Sequence, residues 1–396
     1  MNYLLFDDQS WEQLLPLTFT RPVAEIRIGI LTIREKWNLY LNTQCSFLTK
    51  DYLKTKYAAK VAENNILING SILPETKLVE KISELEKNQA LIKDNIIVAV
   101  NVGEFSNFNL ENNFENFSKI NYEYEISKIN FTYEIFKKNG EAIQNDFELL
   151  TKNRKSQKLS KTNNILAAEN IFLENGAKVE FATLNASSGP IYIGKDAKIM
   201  EGSIVRGPFA LCEKSTLKMA AKIYGPTTIG PASKVGGEVN NSVFFGNANK
   251  AHDGFLGNSV IGEWCNLGAD TNNSNLKNNY AEVRLWNYPE ERFAGTGLTF
   301  CGLIMGDHSK CGINTMFNTG TVVGVYANIF GSGFPRNFIP SFAWGGPQGL
   351  KTYKKTAAFY VAKIVMNRRG KTFDQIEKDI LSTVFEKTEK YRRFED

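Results

Sequence analysis

The sequence predicts a chain built in series: an α/β domain over residues 1–165, a left-handed parallel β-helix over 166–345, and a helical tail over 346–396. Three observations predict it. From Ile193 every sixth residue is aliphatic, through Ile199, Val205, Leu211, Leu217, Ile223, Ile229 and Val235. The segment before residue 165 lacks this ladder and alternates short apolar runs with stretches of helical period. Beyond the Gly/Pro-rich break at 339–349, amphipathic sequence runs to the end of the chain.

A period of six is neither the 3.6 of a helix nor the two of an isolated strand. It fits a coil of three short strands per turn, in which every sixth side chain points inward and its neighbour turns a corner. Glycine follows the ladder residue at Gly194, Gly230 and Gly236. The phase slips, resumes at Ile261-Gly262 and Leu267-Gly268, and returns as Met305-Gly306, Cys311-Gly312, Phe317, Val323-Gly324 and Ile329. Residues 283–300, "VRLWNYPEERFAGTGLTF", interrupt it. Such a prism buries a narrow aliphatic column, so other elements must close its ends.

In the first part, "NYLLFDD", "NNILING" and "DNIIVAV" read as strands bounded by Asp, Asn and Gly, and "TKLVEKISELEKNQALI" has helical period. The alternation predicts a mostly parallel sheet. Residues 151–164, polar and basic, read as a linker. The tail reads as two helices separated near Gly370.

Composition narrows the function classes. No apolar run approaches the ~18 residues of a membrane span, and "MNYLLFDD" lacks the basic start of a secretory signal. Five cysteines without a C-x-x-C pair argue for reduced thiols. A cytoplasmic protein with no membrane partner is expected. The net charge of +5 resides in residues 351–396, where twelve Lys/Arg face seven Asp/Glu, so no basic face suited to nucleic acid is expected.

Two histidines are present. His252, among small and polar residues, is a candidate general base, because a neutral imidazole can take the proton an amine sheds as it attacks. His308, in "GDHSKCG", reads as a solvated corner of a coil. Cys265 and Cys311 read as small hydrophobes filling coil interiors. Asp7 and Asp8 close the first strand, where open α/β sheets bind ligands. They are candidates for holding Mg²⁺ or for capping a loop.

"NKAHDGFLGNSVIGEWCNLGAD" resembles the His-x-x-[Tyr/Phe]-Leu-Gly-[Asp/Asn] signature of the bifunctional N-acetylglucosamine-1-phosphate uridylyltransferase/glucosamine-1-phosphate N-acetyltransferase family. The resemblance implies a nucleotidyltransferase-like, Rossmann-like first domain and a hexapeptide-repeat acyltransferase β-helix. It places His252 as acetyl-transfer base, Glu238 as its acidic partner, and Asn266, Asn275 and Lys277 among the substrate contacts. Two positions depart from the family: Asn240 stands where it usually carries Lys, and Phe255 where it usually carries Tyr. Both remain candidate substrate contacts, but for an acceptor that need not be glucosamine-1-phosphate.

The first domain departs further. The Gly-rich phosphate loop of such enzymes is replaced by "QSWEQLLPLTFTRPVAEIRIGILTIREKW", which resembles a divergent sugar nucleotidyl transferase branch with Arg-Pro and a second Arg. On that resemblance Arg21 and Arg27 meet phosphates by bidentate hydrogen bonds. Ser71 occupies the position where active members carry a metal-binding Asp. The implied protein is a homotrimer that transfers a nucleotidyl group from a nucleoside triphosphate to a sugar 1-phosphate, and an acetyl group from acetyl-CoA to an amino sugar phosphate. The implied product is an activated amino sugar such as UDP-N-acetylglucosamine for the cell envelope. Two alternatives stay open: nucleotidyl transfer alone with the β-helix as trimerisation scaffold, and a non-catalytic sugar-nucleotide-binding assembly protein.

Overall fold

A computed structural model describes residues 1–104 and 117–394. Contacts divide the chain into two compact units. The first comprises Met1–Leu14, Thr20–Ile26 and Leu31–Phe131, and the second Leu15–Phe19, Arg27–Ile30 and Thr132–Asp396.

The first unit contains β1 (Asn2–Phe6), α1 (Ser10–Gln13), α2 (Ile33–Leu41), β2 (Ser46–Leu48), β3 (Asn65–Asn69), α3 (Thr76–Ser83), β4 (Gln89–Lys93), β5 (Ile96–Gly103) and β6 (Ser118–Asn121). The strands form one sheet in the order β2-β1-β3-β5-β4-β6. β1 pairs in parallel with β2 and β3, and β4 with β6, whereas β5 runs antiparallel to both its neighbours. The sheet is therefore mixed. Leu4, Phe6, Leu67, Ala90, Val100 and Val102 form a core on it. α2 starts on a capping box, Thr32 Oγ1 accepting from the Glu35 N–H while Glu35 returns the bond to the Thr32 N–H.

The run "TKLVEKISELEKNQALI" is not one helix. Its first half is α3, and its second half becomes β4 after Asn88 takes a left-handed φ of +65°. The buried Asn101 amide donates to the Leu85 carbonyl between them, satisfying a group freed where the helix stops.

The second unit opens with α4 (Thr132–Lys137) and α5 (Asn139–Thr151), which pack on coil strands of the β-helix. The first coil strand is Asn164–Leu166. From there three parallel sheets stack coil on coil. All eight residues of the ladder from Ile193 to Val235 are at most 1% exposed and lie in one continuous core. Between Val239 and Leu267 the inward positions are Val239, Phe244, Lys250, Leu256, Ile261 and Leu267, so the spacing shortens at two corners and the phase slips. A lysine stands in this aliphatic column, with Val235 on one side and Leu267 on the other.

The segment expected as a linker closes the prism. Gln157 donates from its backbone to the Leu173 carbonyl and from its side chain to the Ala177 carbonyl, and Leu159 packs against the core. Open coil edges need such partners, which explains why this polar stretch does not hang free. At the other end, Ala343–Gly346 and Gly349–Thr352 form an antiparallel hairpin that ends the coils. Residues 284–287 and 292–295 make a second hairpin, which accounts for the gap in the ladder.

The tail forms α6 (Lys355–Asn367) and α7 (Gln375–Lys387), with Gly370 between them at φ +67°. Both dock on coils of the same chain. The Tyr326 hydroxyl donates to the Ala358 carbonyl at 2.6 Å, and Phe342 meets Phe385 edge to face. Their anchor is a column of corner residues in left-handed backbone: Trp264, His308, Tyr326 and Phe342. Their rings stack with interplanar angles of 14°, 12° and 11°. His308 is thus 5% exposed between two aromatic faces rather than a solvated corner. The local sequence is polar, but stacking across coils puts residues 264 and 326 against it.

Candidate functional site

In the first unit the parallel strands β1 and β3 end side by side, and the groups beyond their carboxyl ends converge. Asp8 accepts from the Ser10 N–H at 2.9 Å, from the Ser10 hydroxyl, and from the Asn69 amide at 2.9 Å, and it pairs with the Lys128 ammonium at 3.1 Å. Burial works against its charge, but Lys128 and these donors outweigh it and hold the carboxyl below its ordinary range. Asp7 accepts from the Val23 N–H at 2.8 Å and the Thr49 hydroxyl at 2.5 Å. Here burial dominates and pushes the carboxyl up to about 7. Ser71 donates to Asn69 Oδ1 at 2.6 Å, within the same group.

These residues do not suit Mg²⁺. A hard dication needs ionised carboxylates with free oxygens. Asp8 already carries a lysine cation, and both Asp7 oxygens already accept, from the Val23 N–H and the Thr49 hydroxyl. Among the described residues no group of three or more His, Cys, Asp or Glu is arranged to hold a metal ion. Lys128 was not singled out from the sequence. It lies 120 residues from Asp8, and no local pattern links the two.

The two arginines part company. Arg21 belongs to the first unit and is 5% exposed. Arg27 belongs to the second unit, where its Nε donates to the Phe245 carbonyl at 3.1 Å and its Nη1 to the Ile30 carbonyl. The residues after it are held just as firmly. Gly29 N–H donates to Asn139 Oδ1 and Ile30 N–H to Asp146, at 2.8 and 2.7 Å. Gly29 has φ +72°, and a Cβ there would stand 2.5 Å from the Asp146 carboxylate, so glycine is required. The "RIGI" pattern therefore fastens this segment to α5 and the coils, and Arg27 spends these donors on backbone carbonyls.

In the second unit, His252 lies exposed in the turn between strands Asn249–Lys250 and Phe255–Gly257. On the outer face of one sheet, Lys222, Glu238 and Phe255 stand in register on successive coils, and Tyr224, Asn240 and Gly257 form the adjacent column. The Tyr224 hydroxyl donates to Glu238 Oε1 at 2.6 Å, and Lys222 lies 4.0 Å from Oε2. Burial, then the bond to Glu238, pushes the Tyr224 phenol up to about 12. The Glu238 N–H donates to the Gly254 carbonyl, tying the glutamate's coil to the histidine's turn.

Gly257 makes room for two candidates at once. A Cβ there would meet the Phe255 ring at 2.6 Å and the Asn275 amide at 2.7 Å. Asn275 also donates to Asn258 Oδ1 at 2.8 Å, which fixes its carboxamide. Asn266 belongs to a different face, where Asn249 donates to it at 2.8 Å. Lys277 is tied to the Glu282 carbonyl at 2.7 Å, ahead of the inserted hairpin. The structure thus brings Glu238, Asn240, Phe255 and Asn275 to one face, sets His252 at its edge, and places Asn266 around that edge.

Comparison with known proteins supplies the family context. Residues 3–155 match the sugar nucleotidyl transferase family. A bifunctional sugar-1-phosphate nucleotidylyltransferase/acetyltransferase of Sulfurisphaera tokodaii is 28% identical over 144 residues, covering 36% of this chain and 35% of that protein. Bifunctional protein GlmU of Methanocaldococcus jannaschii is 31% identical over 118 residues, covering 30% of this chain and 26% of that protein. The matches thus span about a third or less of the relatives' own length. A solved UDP-N-acetylglucosamine acyltransferase from Campylobacter jejuni aligns over 58% of this chain and 83% of its own, at 17% identity and a TM-score of 0.28.

Among the described residues no helix is long and apolar enough to cross a membrane. All five cysteines are buried, and none is in a disulfide.

Proposed function

We propose that this chain is a sugar-nucleotide enzyme of two activities: nucleotidyl transfer from a nucleoside triphosphate to a sugar 1-phosphate in its first part, and acetyl transfer from acetyl-CoA to an amino sugar phosphate on the β-helix. The observation that carries the reading is the exposed His252 turn beside Glu238, Phe255 and Asn275, in a chain whose residues 3–155 match the sugar nucleotidyl transferase family.

On the β-helix the amine of the acceptor attacks the thioester carbonyl while its proton passes to the His252 imidazole. The tetrahedral intermediate then collapses with cleavage of the C–S bond, and the leaving CoA thiolate takes that proton from the ring, proton transfer of this kind being worth typically 10²–10⁴-fold. Glu238, held by Tyr224, orients the ring or the incoming ammonium. Phe255 and Asn240 supply an aromatic face and an amide, and Asn266, Asn275 and Lys277 complete the substrate contacts. Arg21, Asn69 and Lys128 serve the phosphates in the first part. Mg²⁺ at Asp7 and Asp8 forms no part of the reading.

A shallow face leaves a thioester in water, where fixed dipoles are worth little. Three parallel prisms would enclose the site between neighbours, which supports a homotrimer working in the cytoplasm on small molecules. The test measures CoA release with glucosamine-1-phosphate and other amino sugar phosphates, beside pyrophosphate release from nucleoside triphosphates with sugar 1-phosphates. Pyrophosphate release without CoA release leaves the β-helix a scaffold. Neither product, with sugar-nucleotide binding retained, leaves a non-catalytic binding protein. Light scattering should report about three times the 44.5 kDa chain.

A further inference from the structure

Lys250 occupies a ladder position inside the β-helix, between Val235 and Leu267, and is 1% exposed. Aliphatic packing does not call for an ammonium there, and burial of an unpaired cation is strongly unfavourable. The ammonium is not unpaired. Its three N–H groups meet three carbonyls: His252 at 2.9 Å, Asp253 at 3.2 Å and Gly236 at 3.3 Å. Two of these belong to the turn that carries His252, and the third to the coil before it.

The same turn is gripped from its other sides. Gly237, at φ +74°, lies so close that a Cβ there would be 2.9 Å from the His252 carbonyl and 2.7 Å from that of Gly254. Gly254, at φ +108°, lies closer still to the Thr271 carbonyl, which a Cβ there would meet at 2.2 Å. The ladder carries a second polar side chain at Asn273, in register with Phe317. It donates to the Gly257 carbonyl and accepts from the Gly257 N–H, and so holds the strand that follows the turn. Polar side chains in the aliphatic column thus concentrate where the backbone around His252 has to be fixed.

We infer that Lys250 is a positioning residue for acetyl transfer: from inside the prism its ammonium fixes the His252–Asp253 turn, and so the place from which the exposed imidazole meets its substrate. The inference rests on the acetyl-transfer reading of His252. Burial draws the Lys250 ammonium down to about 8, while Asp253 and Asp270 act in the opposite direction. It therefore still carries its third N–H at neutral pH.

The test is Lys250→Met in the full chain, which keeps the length of the side chain and suits an aliphatic column. Leu267→Met is the control for altered packing at the next ladder position. Hydrogen exchange of the Glu238 and Asp270 amides, which donate to the Gly254 and Asp253 carbonyls of the turn, is read together with kcat and KM for CoA release from acetyl-CoA and the amino sugar phosphate that wild type uses best. Lys250→Met is expected to exchange these amides at least tenfold faster and to lower kcat at least tenfold, with KM changed less than threefold and the melting temperature within a few degrees of wild type. The control should leave all four unchanged. Wild-type exchange of the Glu238 and Asp270 amides in Lys250→Met overturns the inference, as does wild-type kcat. If Lys250→Met does not fold, Lys250→Gln serves, because it is too short to span all three carbonyls and should show the same direction in both readouts. A wild-type chain without CoA release sinks the acetyl-transfer reading instead, and the exchange rates then decide whether Lys250 holds the turn.

Discussion

The phenol of Tyr224 donates to Glu238 at 2.6 Å across two neighbouring coils. This bond pairs an outward tyrosine with an outward glutamate one column over, and Lys222 flanks the same carboxylate at 4.0 Å. A carboxylate held from the side keeps one orientation, on a coil whose Glu238 N–H is tied to the turn of His252. Tyr224→Phe removes the donor and leaves the ring. Because the pair is partly solvated, the bond is worth less than a buried charge-assisted one, and kcat/KM for CoA release should fall about threefold to tenfold with little change in melting temperature.

His252→Ala should lower acetyl transfer by about 10²-fold or more and leave the fold intact, since the residue is exposed and alanine keeps the backbone carbonyl that Lys250 holds. Stopped-time assay of CoA release is the check. A variant with near wild-type turnover would assign the proton to another group or to water.

Arg27 yields a stability prediction. Its guanidinium donates to the carbonyls of Phe245 and Ile30, both inside the second unit, and it is 8% exposed. Arg27→Met removes the guanidinium from the Phe245 carbonyl and leaves that of Ile30 with only the weak Cys212 thiol donor, which costs about 1–3 kcal/mol. Denaturant titration should show that loss. Calorimetry with nucleoside triphosphate should show an affinity within about threefold of wild type, whereas an arginine that grips a phosphate would lose tenfold or more.

How much of this was legible in the sequence follows from range. The ladder from Ile193 to Val235 could be read because each residue repeats the same local demand at a fixed step. The two tail helices around Gly370 were legible for the same reason. Lys250 was not, because a lysine in a strand pattern reads as an outward residue, and only the register between Val235 and Leu267 turns it inward. His308 failed in the opposite sense: its neighbours Asp307 and Ser309 are polar, yet its ring contacts come from 264 and 326. At the candidate site, the family resemblance singled out Glu238, His252 and Asn275, and these lie in one region of the β-helix. Spacing could not reveal that Asp8 is paired to Lys128, or that Arg27 serves backbone carbonyls, since both partners are distant in sequence.

Asp7 makes the first unit pH-sensitive in a definite direction. Burial raises its carboxyl from 3.8 to about 7, against the Thr49 hydroxyl, the Val23 N–H and Lys50. The folded chain keeps the proton over a range in which the unfolded chain has lost it. The resulting stabilisation is complete below about pH 4 and is lost as pH rises through 7. The full shift corresponds to about 4 kcal/mol, and with partial solvent access about 1–3 kcal/mol is expected. Asp7→Asn cannot ionise, so hydrogen exchange of the β1 and β3 amides should be slower than wild type at pH 8 and the same at pH 4. A wild-type protein equally protected at both pH values would show that Asp7 is ionised throughout.

Tyr326 joins the stacked corner column to the tail, and its removal should separate the stability of the two. Its ring lies 5.1 Å from that of His308 and 5.5 Å from that of Phe342, and its hydroxyl donates to the Ala358 carbonyl in α6. Tyr326→Phe keeps the stack and loses one buried hydrogen bond, about 1 kcal/mol. Tyr326→Ala leaves a cavity where α6 docks and costs about 3–5 kcal/mol, most of it felt at that contact. The coils keep their own ladder and backbone bonds, so local release of the helices is favoured over global unfolding. Limited proteolysis should therefore cut Tyr326→Ala between residues 354 and 387 at protease levels that leave Tyr326→Phe and wild type whole. A Tyr326→Ala chain that instead loses all its coils in one transition would show that tail and prism fold as a single cooperative unit.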